Sequence, residues 1–303
     1  MRSAVLNNSV LIGGCARSGT TILGKLIGSL DNVEYFFEPS FLHKFIYAHR
    51  DMSLQLWGEI LSWYLYDDLL LNSLAGRNLN WNKNEDSCVL NFKSEEIRNR
   101  LCTNHRKNDI EARVDKFKLA IKIPDLIFNV PLFKAIYPDI KAIAMIRKPE
   151  DVIFSVLVKN WFTDEALTDS SITPQIPYVV VNKFRYPLWV PSHDYNEWRI
   201  ISPADRAVYY YLSINKFLWE KRSMFFVLSY EHLLAETEVC ANRISHYLGS
   251  KFSEKTMEVI KSISPRSSKK LNLDTFISSK YREELNDFIP VYEKITALSY
   301  DKS

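Results

Sequence analysis

Five short, continuously apolar segments alternate with longer helical patterns along this chain. Apolar runs of this length are typical of strands buried on both faces of a parallel sheet, and the helical patterns supply the crossover connections that parallel strands need. The alternation therefore predicts an α/β fold with a central parallel sheet flanked by helices. The predicted strands cover residues 10–13, 33–37, 119–123, 142–146 and 225–229.

Helical periodicity fills most of the intervals between these strands. The predicted helices cover residues 20–30, 41–74 as one long helix or a pair, 95–104, 126–137, 149–160, 204–222 and 237–248. A stretch rich in Asn and charged residues at 79–86 predicts a surface loop. No internal repeat divides the sequence, so we expect a single domain over residues 1–303.

Composition limits the classes of partner. Lys and Arg total 39 against 36 Asp and Glu, a formal net charge of +3 without long blocks of either sign, so no nucleic-acid-binding tail is predicted.

Cys15, Cys88, Cys102 and Cys240 lack the spacing of a zinc site or a disulfide framework. Too few residues precede the first strand for a signal peptide, and no run of about 20 apolar residues follows. We therefore expect a cytoplasmic protein without a membrane span.

The residues that follow each strand are the first candidates for a site, because ligands of open parallel sheets bind beyond the carboxyl ends of the strands. After the first strand comes a glycine-containing loop, and polar residues follow the other four. These strand-end residues are Gly14–Thr21, Glu38-Pro39, Pro124-Asp125, Arg147 and Tyr230-Glu231.

The loop after the first strand has the layout of a phosphate cradle. Gly14 and Gly19 are separated by four residues and followed by Thr20 and Thr21, and a helical pattern begins there. Glycines let the backbone approach an anion closely, and the amides of a helix N-terminus attract it. The alternative is an ordinary turn in which Ser18 or Thr20 caps the helix.

The loop lacks one residue that nucleoside triphosphatases have, and this restricts the kind of ligand it is expected to bind. A nucleoside triphosphatase carries Lys directly after the second glycine and a metal-binding hydroxyl next to it, whereas this chain has Thr20 at the lysine position. Its cationic residue is Arg17, two positions before Gly19. The loop is therefore expected to bind a shorter anion, and no acidic pair suggests a metal site.

A second candidate anion site follows the fourth strand. Arg147 ends that strand, Pro149 and Asp151 suit the first turn of a helix, and Ser155 lies further along it. Arg147 and Ser155 are placed to converge on one anion. The alternative is that Arg147 pairs with a neighbouring carboxylate and Ser155 is a small core residue.

The run GCARSGTTILGKLI resembles the 5'-phosphosulfate loop of sulfotransferases that use 3'-phosphoadenosine 5'-phosphosulfate (PAPS), and its Arg-Ser-Gly form is most similar to the carbohydrate branch. Arg147 and Ser155 resemble the family's 3'-phosphate motif. The clear resemblance covers residues 10–41 and 119–161, with a weaker one in 225–234. It implies a P-loop-like sulfotransferase fold that binds PAPS without a metal. The implied PAPS-binding residues are Gly14, Arg17, Ser18, Gly19, Thr20, Thr21, Arg147, Ser155, Tyr230 and Arg266.

The resemblance also implies roles in transfer of a sulfuryl group to an acceptor hydroxyl, with an amine as a second option. Glu38 would be the base, Arg17 would stabilise the leaving oxygen and Lys122 would donate to the transferring group. The alternative for Glu38 is a carboxylate at the N-terminus of the next helix. His43 and His49, at roughly helical spacing near Glu38, are candidates to assist it, the alternative being ordinary surface histidines; His193 is a candidate for contact with the acceptor.

A stretch at 163–203 is rich in proline and aromatic residues, too long and too aromatic for a plain connector. We interpret it as an acceptor-binding insertion or lid. The acceptor is expected to be a small molecule or a carbohydrate, and nothing in the sequence predicts an oligomeric state. Two alternatives stay open: a small-molecule kinase with a degenerate loop, and a nucleotide-binding protein without catalytic activity.

Overall fold

The computed structural model describes residues 2–103, 105–169, 171, 176–264 and 273–300. Seven strands lie within these ranges, and all five predicted strands are confirmed with bounds that agree to within one residue. The strands are β1 Val10–Gly14, β2 Val33–Phe37, β3 Lys118–Lys122, β4 Lys141–Ile146, β5 Tyr178–Val181, β6 Phe184–Pro187 and β7 Phe226–Ser229.

Five of the strands form one parallel sheet in the order β2-β3-β1-β4-β7. The central strand β1 pairs with β3 on one side and β4 on the other, so that Val10 lies opposite Ala120 and Lys141. The chain moves from β1 to one edge of the sheet, returns through β3 and then crosses to the opposite side. Because these strands are parallel, the carboxyl ends of β1, β3 and β4 lie side by side. The reversal of strand order marks the place at that edge where α/β proteins bind ligands.

Helices cover both faces of the sheet, which confirms the predicted fold class. The α-helices within the described ranges are α1 Arg2–Asn7, α2 Thr20–Gly28, α3 Ser40–Phe45, α4 Leu54–Trp63, α5 Asn72–Leu74, α6 Asn99–Cys102, α7 Lys107–Glu111, α8 Val130–Ile136, α9 Pro149–Val158, α10 Asp164–Thr168, α11 Tyr195–Ile200, α12 Pro203–Glu220, α13 Tyr230–Ala235, α14 Thr237–Leu248, α15 Glu254–Ser262 and α16 Ser279–Leu298.

The predicted helices differ from the observed ones in several places. The 41–74 interval contains α3, α4, a π-helix over Tyr64–Leu71 and α5 rather than one helix or a pair. The structure also contains α15 and α16, which the periodicity did not predict. Pro290 lies inside α16, where proline normally breaks a helix because it lacks an N–H group.

The helix α12 is the main support beneath the site. Its N-cap residue Ser202 accepts a hydrogen bond from the Asp205 N–H at 3.0 Å, and Pro203 takes the first helical position. Buried residues of α12 pack against α9 and α16 in one continuous core. This packing fixes α9, which carries the second candidate anion motif.

The 163–203 stretch folds into α10, a β5–β6 hairpin and α11. The hairpin turn was not predicted: Asn182 and Lys183 both have positive φ, 51° and 64°, which matches a type I′ turn, but Lys stands where Gly is usual. Many of the aromatic rings pack in the core. Trp198 is fully buried and lies 5.3 Å, centroid to centroid, from both Phe162 and Trp189.

The buried side chain of Arg206 ties this stretch to α12. Its guanidinium donates to the carbonyl oxygens of Phe162, Trp198 and Arg199 at 2.9, 2.8 and 2.9 Å, and to Asp164 Oδ1 at 2.7 Å. A buried cation must be fully hydrogen bonded to be tolerated, and these contacts meet that condition. The 163–203 stretch is therefore held to α12 at the ends where α10 and α11 lie.

Two further observations concern sequence predictions. The 79–86 segment is a loop, and Asp86 within it pairs with Lys25 of α2 at 3.1 Å. Among the described residues, no helix combines the length and the apolar character that crossing a bilayer requires. Arg266, one of the predicted PAPS-binding residues, lies outside the described residues.

Candidate active site

The loop between β1 and α2 depends on two glycines with positive φ. Gly14 has φ 128°, and a side chain there would meet the Met145 carbonyl oxygen at 2.3 Å, so glycine allows β1 to pack closely on β4. Gly19 has φ 97°, and a Cβ there would meet the Tyr230 ring at 2.4 Å. Helix α2 begins at Thr20 without a side-chain cap. Its first-turn N–H groups are therefore available to an anion.

A buried polar cluster holds the loop from behind. The Tyr210 hydroxyl accepts a hydrogen bond from the Ala16 N–H at 2.8 Å and donates one to Asp125 Oδ1 at 2.9 Å. The Ser18 hydroxyl is turned inward and donates to the Cys15 carbonyl oxygen at 2.6 Å. Ser18 thus stabilises the loop turn and does not line the cavity described next.

The carboxyl ends of the strands open into a cavity of about 1220 Å³. This volume exceeds that of a typical pocket for one drug-sized ligand, which is about 300–1,000 Å³. Gly14, Ser18, His49 and His193 do not line it. The sequence-predicted residues that do are Arg17, Gly19, Thr20, Thr21, Glu38, His43, Lys122, Arg147, Ser155 and Tyr230.

The two candidate anion motifs meet in this cavity. Arg17 Nε donates to Ser155 Oγ at 2.9 Å, so Ser155 is not a plain core residue. Arg147 donates through Nε and Nη2 to Asp151 Oδ2 at 3.2 and 3.0 Å, and through Nη1 to the Arg17 carbonyl oxygen at 3.2 Å. Its guanidinium also lies 4.4 Å from the centre of the Tyr230 ring. Arg147 therefore pairs with a neighbouring carboxylate, as the alternative to an anion site predicted, and it also lines the cavity.

Glu38 and Lys122 form an ion pair at the ends of β2 and β3. The Glu38 N–H donates to the Lys122 carbonyl oxygen at 2.8 Å, and its backbone has a positive φ of 45°. The Lys122 side chain is 4% exposed and that of Glu38 27%, so the carboxylate is the more accessible partner. Glu38 makes no cap to α3, whose N-cap residue is Pro39.

Burial changes the protonation behaviour of this region. Loss of solvation lowers the pKa of Lys122, while the nearby Glu38 carboxylate opposes that change. Burial raises the pKa of Asp125 to about 6; the hydrogen bond from Tyr210 opposes this shift and the charge of Glu38 adds to it. Burial also lowers the pKa of His43, whose Nε2 atom has no hydrogen-bond partner. The cavity thus contains an ion pair, a carboxyl group whose pKa is raised and an imidazole whose pKa is lowered.

Two residues of this site were missed by sequence reasoning. Asp125 was noted only as a polar residue at a strand end, and its burial was not visible in the sequence. Nothing in the sequence indicated a role for Tyr210, because it lies on α12, 85 positions from Asp125. Within the described residues, no group of three or more His, Cys, Asp or Glu side chains is placed to hold a metal ion.

Comparison with known proteins identifies the family. The model of the sulfotransferase family matches residues 9–186, more than half of the chain. A comparison with curated protein sequences finds no significant match.

Similar solved structures are also sulfotransferases. They include the sulfotransferase domain of the Synechococcus PCC 7002 olefin synthase (14% identity, 91% of this chain and 82% of that chain, TM-score 0.43). They also include a sulfotransferase from Alicyclobacillus acidocaldarius (15%, 97% and 96%, 0.39) and STF9 from Mycobacterium avium (13%, 95% and 77%, 0.46). Because these similarities are remote, the assignment depends on the family model. On that match, the chain belongs to the sulfotransferase family.

Proposed function

We propose that this sulfotransferase uses PAPS as its donor and transfers the sulfuryl group to an acceptor hydroxyl. The observation that carries the proposal is the contact between the two anion motifs, in which Arg17 of the loop bonds Ser155 of α9. PAPS has two anionic ends, a 5'-phosphosulfate and a 3'-phosphate. A cavity with two joined cationic motifs fits such a donor better than a ligand with a single phosphate.

The residues present suit both ends of the donor. Arg17, the first-turn amides of α2 and the hydroxyls of Thr20 and Thr21 would hold the 5'-phosphosulfate. Arg147 and Ser155 would hold the 3'-phosphate, with Asp151 fixing the orientation of the guanidinium. Hydrogen bonds from cationic donors to phosphate are stronger than neutral ones and favour Arg.

Glu38 is the proposed base. It accepts the proton of the acceptor hydroxyl while the acceptor oxygen attacks sulfur and the bond from sulfur to the bridging phosphate oxygen breaks. Arg17 would stabilise the negative charge that develops on that oxygen, and Lys122 would donate a hydrogen bond to the transferring sulfuryl group. The products are a sulfate ester and 3',5'-bisphosphoadenosine, and the proton leaves on Glu38. The ion pair between Lys122 and Glu38 supports this proposal, because it puts the proposed base next to the proposed hydrogen-bond donor.

A transfer assay with radiolabelled PAPS and a panel of alcohols, phenols, sugars and amines tests the reaction. We expect labelled product from hydroxyl acceptors and its loss in the Glu38→Gln variant. Labelled amines without labelled alcohols would contradict O-transfer. Binding of PAPS without transfer to any acceptor would favour the non-catalytic alternative.

Isothermal titration calorimetry tests donor choice. We expect 3',5'-bisphosphoadenosine to bind equally well with and without EDTA, and ATP to bind more weakly in the presence of Mg²⁺. Magnesium-dependent ATP binding that exceeds binding of the bisphosphate would contradict the proposal and favour a kinase.

A further inference from the structure

Helix α9 contributes both polar and apolar side chains to the lining of the cavity. Its first turns place Asp151 and Ser155 beside the two arginines, whereas Phe154 and Val158 line the cavity on the same side of the helix. At a rise of about 1.5 Å per residue, Val158 lies roughly 10 Å along the axis from Asp151. Trp161, just beyond the end of α9, extends the apolar surface.

Apolar residues from two other parts of the chain also line the cavity. Tyr178 begins β5 and Leu188 follows β6, and both line the cavity. Phe37 comes from the end of β2 and directly precedes Glu38. We call these residues the apolar wall: Phe37, Phe154, Val158, Trp161, Tyr178 and Leu188.

The apolar wall has accessible apolar surface that the folded chain leaves uncovered. Phe37 is 38% exposed and Val158 is 61% exposed, although both line a cavity. Apolar surface inside a pocket favours an apolar ligand, since it is removed from water only when that ligand binds. The wall offers few hydrogen-bonding groups, whereas a sugar needs a partner for each buried hydroxyl.

We propose that the acceptor is a hydrophobic alcohol, with its hydroxyl at Glu38 and its hydrocarbon part along the apolar wall. This inference rests on the proposed function, because it assigns the acceptor class for the same reaction. Phe37 next to Glu38 puts apolar surface directly beside the base. The arginines Arg17 and Arg147 are then left to the donor.

The test is a series of primary alcohols of increasing chain length, from butanol to decanol, assayed with radiolabelled PAPS beside simple sugars. We expect kcat/KM to rise about threefold to fourfold for each methylene that reaches the wall, and sugars to be poor acceptors. Chain-length-independent transfer, or sugars better than every alcohol, would overturn the inference and leave PAPS-dependent transfer intact.

A pair of variants locates the effect. Val158→Asn, which adds polarity without charge, should raise KM for decanol at least tenfold while leaving binding of 3',5'-bisphosphoadenosine unchanged. Val239→Asn is the matched control, because Val239 is an exposed valine on α14 that does not line the cavity. Equal kinetics of the two variants would overturn the placement of the acceptor. If the unmodified protein neither transferred sulfuryl groups nor bound the bisphosphate, the proposed function itself would be contradicted, and this inference with it.

Discussion

Arg17 Nε lies 2.9 Å from Ser155 Oγ, which joins the loop after β1 to helix α9 across 138 positions of sequence. Arg147 strengthens the junction by donating to the Arg17 carbonyl oxygen. Two motifs that could have formed separate sites therefore share one wall of the cavity. Substitutions in either motif should affect binding of the same ligand.

Replacement of Arg147 should weaken donor binding. Arg147→Ala removes a charge-assisted contact worth about 1.5–3 kcal/mol, which corresponds to roughly a 10- to 150-fold increase in the Kd of 3',5'-bisphosphoadenosine by calorimetry. Arg98→Ala is the control, since Arg98 pairs with Glu95 at the surface and does not line the cavity. An unchanged Kd in Arg147→Ala would contradict the assignment of the second motif.

Replacement of Glu38 should separate turnover from binding. Glu38→Gln removes the proposed base, so kcat should fall by about 10²–10⁴ while the Kd of 3',5'-bisphosphoadenosine changes little. The measurements are steady-state transfer kinetics and calorimetry on the same preparations. Equal losses of binding in Glu38→Gln and Arg147→Ala would contradict the division of roles between them.

Tyr210 should be needed to hold the loop. Tyr210→Phe leaves the Ala16 N–H and Asp125 without their shared partner, which should lower the free energy of unfolding by about 1–3 kcal/mol and weaken bisphosphate binding. Urea denaturation and calorimetry measure the two effects. Tyr209→Phe also loses a hydrogen bond, from Tyr209 to Asp194, but makes no contact with the loop. Similar losses of binding in both variants would argue against a positioning role.

A side chain at Gly19 should disturb the loop in two ways. Gly19→Ala must adopt a φ near 97° and would place its Cβ 2.4 Å from the Tyr230 ring. Gly249→Ala also has positive φ, 63°, but meets no atom within 4 Å, so it measures backbone strain of about 1 kcal/mol alone. We expect Gly19→Ala to cost more stability in denaturation and to bind the bisphosphate more weakly. Equal effects would show that the ring contact is unimportant.

Asp125 should give the protein a specific pH dependence of stability. Its pKa is about 6 in the folded protein and about 3.9 in the unfolded chain, so the folded state binds more protons between these values. The extra proton on Asp125 contributes fully to the free energy of unfolding below pH 4, and this contribution is lost as the pH rises through 6. Relative to Asp125→Asn, the unmodified protein should lose about 2–3 kcal/mol of unfolding free energy over that range. If denaturant titrations gave the two proteins parallel profiles of unfolding free energy against pH, the raised pKa of Asp125 would be contradicted.

Local patterns predicted much of the fold. The strands could be located because buried parallel strands are short, continuous apolar runs, and the bounds of α14 could be located because its amphipathic pattern ends at Gly249. The prediction failed where a local rule is broken. Pro290 inside α16 and Lys183 in a type I′ turn are residues that favour other structures, and they are tolerated because surrounding contacts outweigh local preference.

The sequence by itself determined the parallel sheet, the loop with Arg17, and the second motif at Arg147, because each depends on residues close together in the chain. Tertiary structure decided how they are used. The contact of Arg17 with Ser155 and the support of the loop by Tyr210 and Asp125 arise from the order of the strands and the packing of α12. Burial then set the pKa of Asp125, because desolvation depends on the whole fold and not on neighbouring residues.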